Sequence, residues 1–263
     1  MADVPSAARS VGSLDLAIRC LDLTYLEGNE TPEQVTALCE RAVRPDPDEP
    51  KVPSVAAVVL YPALVAIAAE RLKGTGVKVA SVAGFPRATE PLPKRLAEIH
   101  SAIDFGADEV DIVLNLEAFL SGRRDQTTEE IERSKAEAGT AVLKVILETG
   151  ELATENRIRD AALLAMSAGA DFLKSSTGKI GAGATPEAAL AMMDAVSDFH
   201  GQGGRAVGVK LSGGIRTADQ ALAYIQMLEE RLGGEWLTPE RFRIGASALL
   251  DDLVARSRRA RAE

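Results

Sequence analysis

Eight short apolar runs recur along the chain, and a longer amphipathic segment separates each run from the next. The runs are rich in Val, Ile and Leu, as expected of parallel strands that are covered on both faces. They are Leu21–Leu26, Val55–Leu60, Val77–Ala83, Glu109–Leu114, Ala141–Leu147, Asp171–Ser175, Ala206–Leu211 and Phe242–Ile244. This alternation predicts repeated βα units around a parallel sheet.

Helix-start signals lie between the runs. Thr31-Pro32-Glu33-Gln34 and Thr217 with Gln220 have the residues of a capping box, and so do Thr127 with Glu130. Eight βα units in 263 residues fit a (β/α)8 TIM barrel, which typically takes about 250 residues. The alternative, a doubly wound open sheet, lacks support because no GxGxxG motif follows the first run.

Nothing in the composition divides the chain. We therefore predict a single domain over residues 1–263, in which 1–13 is a flexible or helical N-terminal extension and 257–263 a C-terminal tail. The net charge of −9 argues against a nucleic-acid or membrane binder. The two cysteines have no CxxC spacing, and residues 1–13 have no apolar signal-peptide core, so a cytoplasmic location is expected.

Four charged residues interrupt apolar runs: Asp111, Lys144, Lys174 and Lys210. Side chains alternate across a strand, so each charge points away from the face of its apolar neighbours, into the barrel. A structural ion-pair network is one interpretation. Three lysines around one Asp would instead leave excess positive charge, and desolvation and repulsion would then lower the pKa of a lysine. Only a neutral amine adds to a carbonyl, so this pattern favours Schiff-base chemistry.

Glycine-bearing loops follow the sixth, seventh and eighth runs. They contain Ser175-Ser176-Thr177-Gly178-Lys179, Ser212-Gly213-Gly214-Ile215-Arg216-Thr217 and Gly245-Ala246-Ser247. Glycines let a backbone approach an anion, and the loops after strands seven and eight of such barrels often bind phosphate. These three loops predict a phosphate site.

Several stretches together resemble the 2-deoxyribose-5-phosphate aldolase family over nearly the whole chain. They are Leu21–Thr24, Gly106–Asp111, Leu143–Gly150, Asp171–Gly178, Gly208–Lys210 and Ser212–Thr217. The resemblance implies a class I aldolase that reversibly cleaves 2-deoxy-D-ribose 5-phosphate to D-glyceraldehyde 3-phosphate and acetaldehyde, in deoxynucleoside catabolism. It implies no cofactor and no metal, and it suggests a homodimer.

The resemblance also implies roles for individual residues. Lys174 would form the Schiff base, Lys210 would lower its pKa and relay protons, and Asp111 would be the acid/base, acting through a water. Asp22 and Lys144 would support them. The phosphate-side positions would be Gly178, Lys179, Gly213, Gly214, Gly245 and Ser247.

Three other functions stay open at this point. A metal-dependent aldolase or hydrolase is disfavoured because His100 and His200 lack ligand spacing. Another Schiff-base lyase or transferase on a phosphorylated sugar would share the barrel and the lysine. A non-catalytic phosphosugar-binding barrel would have no need for a neutral amine.

Overall fold

Eight parallel strands close into a barrel in the computed structural model, which describes residues 10–262. Each strand pairs with the next along the chain, and the eighth pairs with the first. The strands are β1 Leu21–Thr24, β2 Ala57–Leu60, β3 Lys78–Ala83, β4 Glu109–Val113, β5 Val142–Ile146, β6 Phe172–Lys174, β7 Gly208–Ser212 and β8 Phe242–Ala246. The prediction of a (β/α)8 barrel is confirmed.

Helices surround the barrel. Within the described residues they are α1 Val11–Arg19, α2 Pro32–Val43, α3 Val65–Leu72, α4 Leu92–Asp104, α5 Leu116–Leu120, α6 Arg124–Ala138, α7 Thr149–Leu152, α8 Glu155–Ser167, α9 Pro186–Gly201, α10 Ala218–Leu232 and α11 Leu249–Ala262. Two 3-10 helices, Pro62–Leu64 and Gly234–Trp236, complete the set. No helix between residues 10 and 262 is both long enough and apolar enough to cross a membrane.

The main hydrophobic core lies between the barrel and its helices. The outward side chains of the strands belong to it, for example Val110, Leu143, Leu173 and Val209, all of them completely buried. Burial of this apolar surface is the main favourable contribution to folding. The alternate positions of the same strands point inward, and this is where the charged side chains lie.

The capping boxes at Thr31 and Thr217 form as predicted, but the prediction of a capping box at Thr127 is wrong. Helix α6 begins at Arg124, three residues earlier, so Thr127 lies inside the helix and its hydroxyl donates to the carbonyl of Arg123. The Glu130 carboxylate binds Arg95 instead, at 2.7 Å. Glu130 therefore forms a tertiary ion pair and not the helix cap that the local pattern predicted.

The described parts of the predicted extension and tail are helical. Residues 1–9 of the extension lie outside the described residues, and residues 11–13 begin helix α1. Residues 257–262 of the tail are the last turns of α11. Ion pairs join this helix to the rest of the protein, because Arg258 binds Asp46 and Arg261 binds Asp15 at 2.6 Å.

Candidate active site

Three lysines converge on one carboxylate inside the barrel. Oδ2 of Asp111 accepts hydrogen bonds from Nζ of Lys174 at 2.9 Å and Nζ of Lys210 at 2.8 Å. Oδ1 of Asp111 accepts from Nζ of Lys144 at 2.9 Å. Strand register brings them together, since Asp111 pairs with Lys144 and Lys174 pairs with Lys210.

A second layer of charge lies deeper in the barrel. Asp22 contacts Nζ of Lys210 at 2.5 Å, and its other oxygen lies 2.6 Å from Arg243. Arg243 also binds Glu109 at 2.7 Å, and Glu109 contacts Lys144. All these groups are buried. The four residues predicted to point into the barrel and Asp22, predicted to support them, therefore lie in one cluster.

Sequence reasoning missed Glu109 and Arg243. Glu109 lies two residues before Asp111, and Arg243 interrupts the apolar run of β8. The period of two that identified Asp111 places Glu109 on the same inward face. The same test applied to β8 would have found Arg243.

The charge balance of the cluster differs from the predicted excess of three lysines over one Asp. Four cations face three carboxylates: Lys144, Lys174, Lys210 and Arg243 against Asp22, Glu109 and Asp111. With every group ionised, one positive charge is left over. If one lysine is neutral, the buried charges balance.

Lys174 is the lysine whose pKa falls. Burial lowers it from 10.5 to about 8, Asp111 opposes the change, and repulsion from Lys210 adds to it. Burial also disfavours the charge on Lys144, but Asp111, Glu109 and Asp22 outweigh that cost and raise its pKa. Burial opposes ionisation of Asp111, yet the three lysines hold its pKa well below the usual range.

A pocket opens at the carboxyl ends of β6, β7 and β8. Lys174 lines it, and so does each residue predicted for the phosphate side: Gly178, Lys179, Gly213, Gly214, Gly245 and Ser247. Of the seven charged groups described in the interior cluster, Lys174 alone reaches this pocket. It is only 3% exposed, so its amine lies where the charge cluster meets the open site.

The loops around the pocket are built on close backbone contacts. Gly213 has φ of +89°, and a Cβ there would lie 2.6 Å from Oγ of Ser176 and 2.7 Å from Cα of Gly183. Gly183, which sequence reasoning missed, would place a Cβ 2.2 Å from the carbonyl oxygen of Gly213. Glycine is therefore required at both positions for the two loops to touch.

Gly245 has a different role from that of a loop glycine. It lies in strand β8, where a Cβ would come within 3.0 Å of Cε of Lys210 and of Cβ of Ser212. The missing side chain therefore makes room for Lys210. Gly178 differs as well, because its N–H donates to Oγ of Ser176 at 3.2 Å, within its own loop.

Two cationic side chains stand at the pocket. Nζ of Lys179 binds Glu27 at 2.9 Å, which joins the loop after β6 to the segment after β1. Arg216 also lines the pocket and is exposed. Arg216 belongs to the predicted loop after β7, two residues after Gly214, but the sequence analysis gave it no role. Cations of this kind can bind an anion, and Glu27 lines the same pocket.

The histidines lie away from this site. His100 contacts Asp104 and Glu137 on helices, and Nδ1 of His200 lies 3.1 Å from the carbonyl oxygen of Gly204. In residues 10–262 no three His, Cys, Asp or Glu side chains are grouped so that they could hold a metal ion.

Comparison with known proteins agrees with this geometry. The chain is 43% identical to deoxyribose-phosphate aldolase of Mus musculus over 249 residues, which cover 90% of this chain and 78% of the mouse protein. It is 42% identical to the Homo sapiens enzyme over 248 residues, with the same coverage. The structure of a tetrameric deoxyribose phosphate aldolase from Aeropyrum pernix superposes with a TM-score of 0.71 and 28% identity, covering 95% of this chain and 98% of the other. Residues 16–253 match the family described as DeoC/LacD family aldolase, and the chain belongs to that family.

Proposed function

We propose that this aldolase reversibly cleaves 2-deoxy-D-ribose 5-phosphate to D-glyceraldehyde 3-phosphate and acetaldehyde, through a Schiff base on Lys174. The observation that carries the proposal is the position of Lys174. Its amine belongs to the buried charge cluster, has a pKa of about 8, and lines the pocket that the anion-binding loops surround. The mouse and human relatives named above support the choice of substrate.

The chemistry begins at the neutral amine. With a pKa of about 8, about one Lys174 in ten is neutral at pH 7, against about one in 3,000 for an ordinary lysine. The amine adds to C1 of the open-chain sugar. The proton that Lys174 gave up to become neutral returns as water leaves, which gives the protonated imine. The C2–C3 bond then breaks, its electrons pass into the imine to form an enamine, and the C3 hydroxyl loses its proton. Protonation of C2 and hydrolysis release acetaldehyde.

Asp111 is placed to handle the protons. It is held ionised, and one of its oxygens accepts from both Lys174 and Lys210. It therefore serves as the acceptor for the proton of the C3 hydroxyl, through a water molecule, and as the link between the two amines. Lys210 keeps this oxygen occupied when Lys174 is bonded to carbon. Asp111 and Lys210 are held in place by the other charged groups of the cluster, which are Asp22, Lys144, Glu109 and Arg243.

The phosphate group of the substrate binds in the pocket between the loops that follow β6, β7 and β8. Lys179 and Arg216 provide its cationic partners, and the glycine loops let the chain approach it closely. The phosphate then fixes the distance from C5 of the substrate to the amine of Lys174. Such fixed binding away from the reacting bond contributes to positioning.

A turnover assay tests the proposal. We expect cleavage of 2-deoxyribose 5-phosphate and at least about a hundredfold lower kcat/KM with ribose 5-phosphate, whose additional hydroxyl at C2 must also be accommodated. Equal turnover of both sugars would favour another Schiff-base lyase or transferase. No turnover of either would favour a binding barrel. The homodimer, the cytoplasmic location and independence of metal ions stay predictions.

A further inference from the structure

Glu148 is a buried acid outside the lysine cluster. It lies two residues after the end of strand β5, is completely buried, and adopts a left-handed backbone with φ of 51° and ψ of 62°. Burial of a carboxyl and a left-handed backbone at a residue with a side chain are both unfavourable. Residues that keep such a conformation cluster at functional sites.

The partners of Glu148 lie in the loop that follows Lys174. Its Oε2 accepts from the N–H of Thr177 at 3.1 Å and from the hydroxyl of Thr177 at 2.6 Å. Oγ1 of Thr177 in turn accepts from the N–H of Lys179 at 3.2 Å. One carboxylate oxygen is thus connected to the backbone at the phosphate-side residue Lys179.

The next residues of the same segment contact the far end of that loop. A Cβ at Gly150 would lie 2.8 Å from the carbonyl oxygen of Ala182, so the two backbones are in close contact. Two residues later, the N–H of Ala184 donates to the carbonyl oxygens of Ser212 and Gly213, both at 3.0 Å. The segment 148–150 therefore supports the β6–α9 loop, residues 175–185, where it packs on the glycine loop of β7.

We propose that Glu148 is a positioning residue for the substrate phosphate: it fixes Thr177 so that Gly178 and Lys179 line the pocket. The inference rests on the proposed function for the identity of the substrate. Glu148 itself touches the loop and not the reacting carbon. Its loss should therefore weaken phosphate binding more than it slows chemistry at Lys174.

The neutral form of the Glu148 side chain resembles glutamine, so a conservative substitution can test its role. Burial raises the pKa of Glu148, and the hydrogen bonds from Thr177 oppose that change. The second oxygen, Oε1, is buried without a hydrogen-bond partner among the described residues. Glu148→Gln keeps an oxygen acceptor for Thr177, whereas Glu148→Ala removes it. Thr177→Val removes the hydroxyl that donates the 2.6 Å hydrogen bond to Glu148.

The experiment compares kinetics with 2-deoxyribose 5-phosphate and with unphosphorylated 2-deoxyribose. For Glu148→Ala we expect KM for the phosphorylated sugar to rise about tenfold or more, with kcat/KM for 2-deoxyribose within about twofold of wild type. Thr177→Val should show a smaller change in the same direction. Glu148→Gln should restore most of the affinity, and the exposed control Glu155→Ala should behave as wild type.

Inorganic phosphate provides a readout that does not depend on turnover. Phosphate should raise the Tm of the wild type and of Glu148→Gln, and should raise it less for Glu148→Ala and Thr177→Val. Equal losses for both sugars, or unchanged phosphate binding in both variants, would overturn the inference. If Glu148→Ala does not fold, the kinetics and the phosphate binding of Thr177→Val test the inference in its place. If the wild type binds phosphate but cleaves neither sugar, the proposed function is wrong. The inference about Glu148 is then tested only by the effect of the variants on the Tm shift with phosphate.

Discussion

At the residue scale, the central feature is one lysine, Lys174, whose charge is disfavoured although the neighbouring charges of Asp111 and Lys144 are stabilised. The inward positions of Asp111, Lys144, Lys174 and Lys210 were predictable because strands alternate with a period of two. Their pairing was not, because it depends on which strands are neighbours and on their register. The predicted main cause of the low pKa, desolvation together with mutual repulsion, is refined by the structure: burial is the largest cause and Lys210 a smaller one.

The pH dependence of imine formation follows from the pKa of Lys174. Below about pH 8 the amine is mostly protonated, so the rate of imine formation with acetaldehyde should rise about tenfold per pH unit and level off above pH 8. Because this pKa is below its ordinary value of 10.5, the unfolded chain binds more protons between pH 8 and 10.5. Across that window the contribution of Lys174 to folding stability rises with pH. Single-turnover borohydride trapping across pH 6–10 measures the rate; a flat profile would contradict the account.

Removal of Lys210 should shift that profile. Lys210 repels the charged form of Lys174, so Lys210→Ala should raise the pKa of Lys174 and move the profile to higher pH. It also leaves Asp111 with one donor fewer, so activity at pH 7 should fall by at least about a hundredfold. Lys78→Ala, at an exposed lysine of β3, is the matched control. An unshifted profile in Lys210→Ala would contradict a contribution of Lys210 to the low pKa.

At the scale of elements, the eight strands were predictable because each is a short apolar run bounded by cap or turn signals. The loops were predictable only as glycine-bearing segments. Their contacts, such as Gly183 against Gly213, join residues 30 positions apart, and no local pattern encodes them. The same limit explains Thr127, where a distant ion pair overrides a local cap motif.

The contact between loops predicts different effects for two adjacent glycines. Gly213→Ala adds a Cβ 2.6–2.7 Å from Ser176 and Gly183, in addition to an unfavourable φ of +89°. Gly214→Ala has a similar φ of +81° but nothing within 4 Å of its Cβ. We expect KM for the phosphorylated sugar to rise about tenfold or more in Gly213→Ala and only about two- to threefold in Gly214→Ala. Steady-state kinetics test this, and equal effects would refute the packing argument.

At the scale of the whole molecule, the charge cluster crosses the barrel from β1 through β4, β5, β6 and β7 to β8. The described elements run from Val11 to Ala262, and we propose that they form the single domain predicted for residues 1–263. Ion pairs from α11 reach Asp15 and Asp46 near the start of the chain. Composition alone could not indicate these contacts, which depend on closure of the barrel.

Arg243 tests the contribution of the cluster to stability. Arg243→Met would leave Glu109 and Asp22 without their guanidinium partner in the barrel interior. Removal of one partner of a buried ion pair typically costs about 3–5 kcal/mol. Arg133→Met, at a half-exposed arginine whose nearest carboxylate is 3.6 Å away, should change the free energy of unfolding by less than about 0.5 kcal/mol. Urea unfolding measures both, and a stable Arg243→Met protein would contradict the assigned role.

Trapping of the Schiff base tests the central claim most directly. The protein is incubated with acetaldehyde, reduced with borohydride, and analysed by intact mass and by peptide mapping. The account predicts one ethyl adduct on Lys174 in the wild type and none at that site in Lys174→Ala, while Lys179→Ala, at the other lysine that lines the pocket, still forms it. An adduct of equal yield in Lys174→Ala, or an adduct located on Lys210, would contradict it.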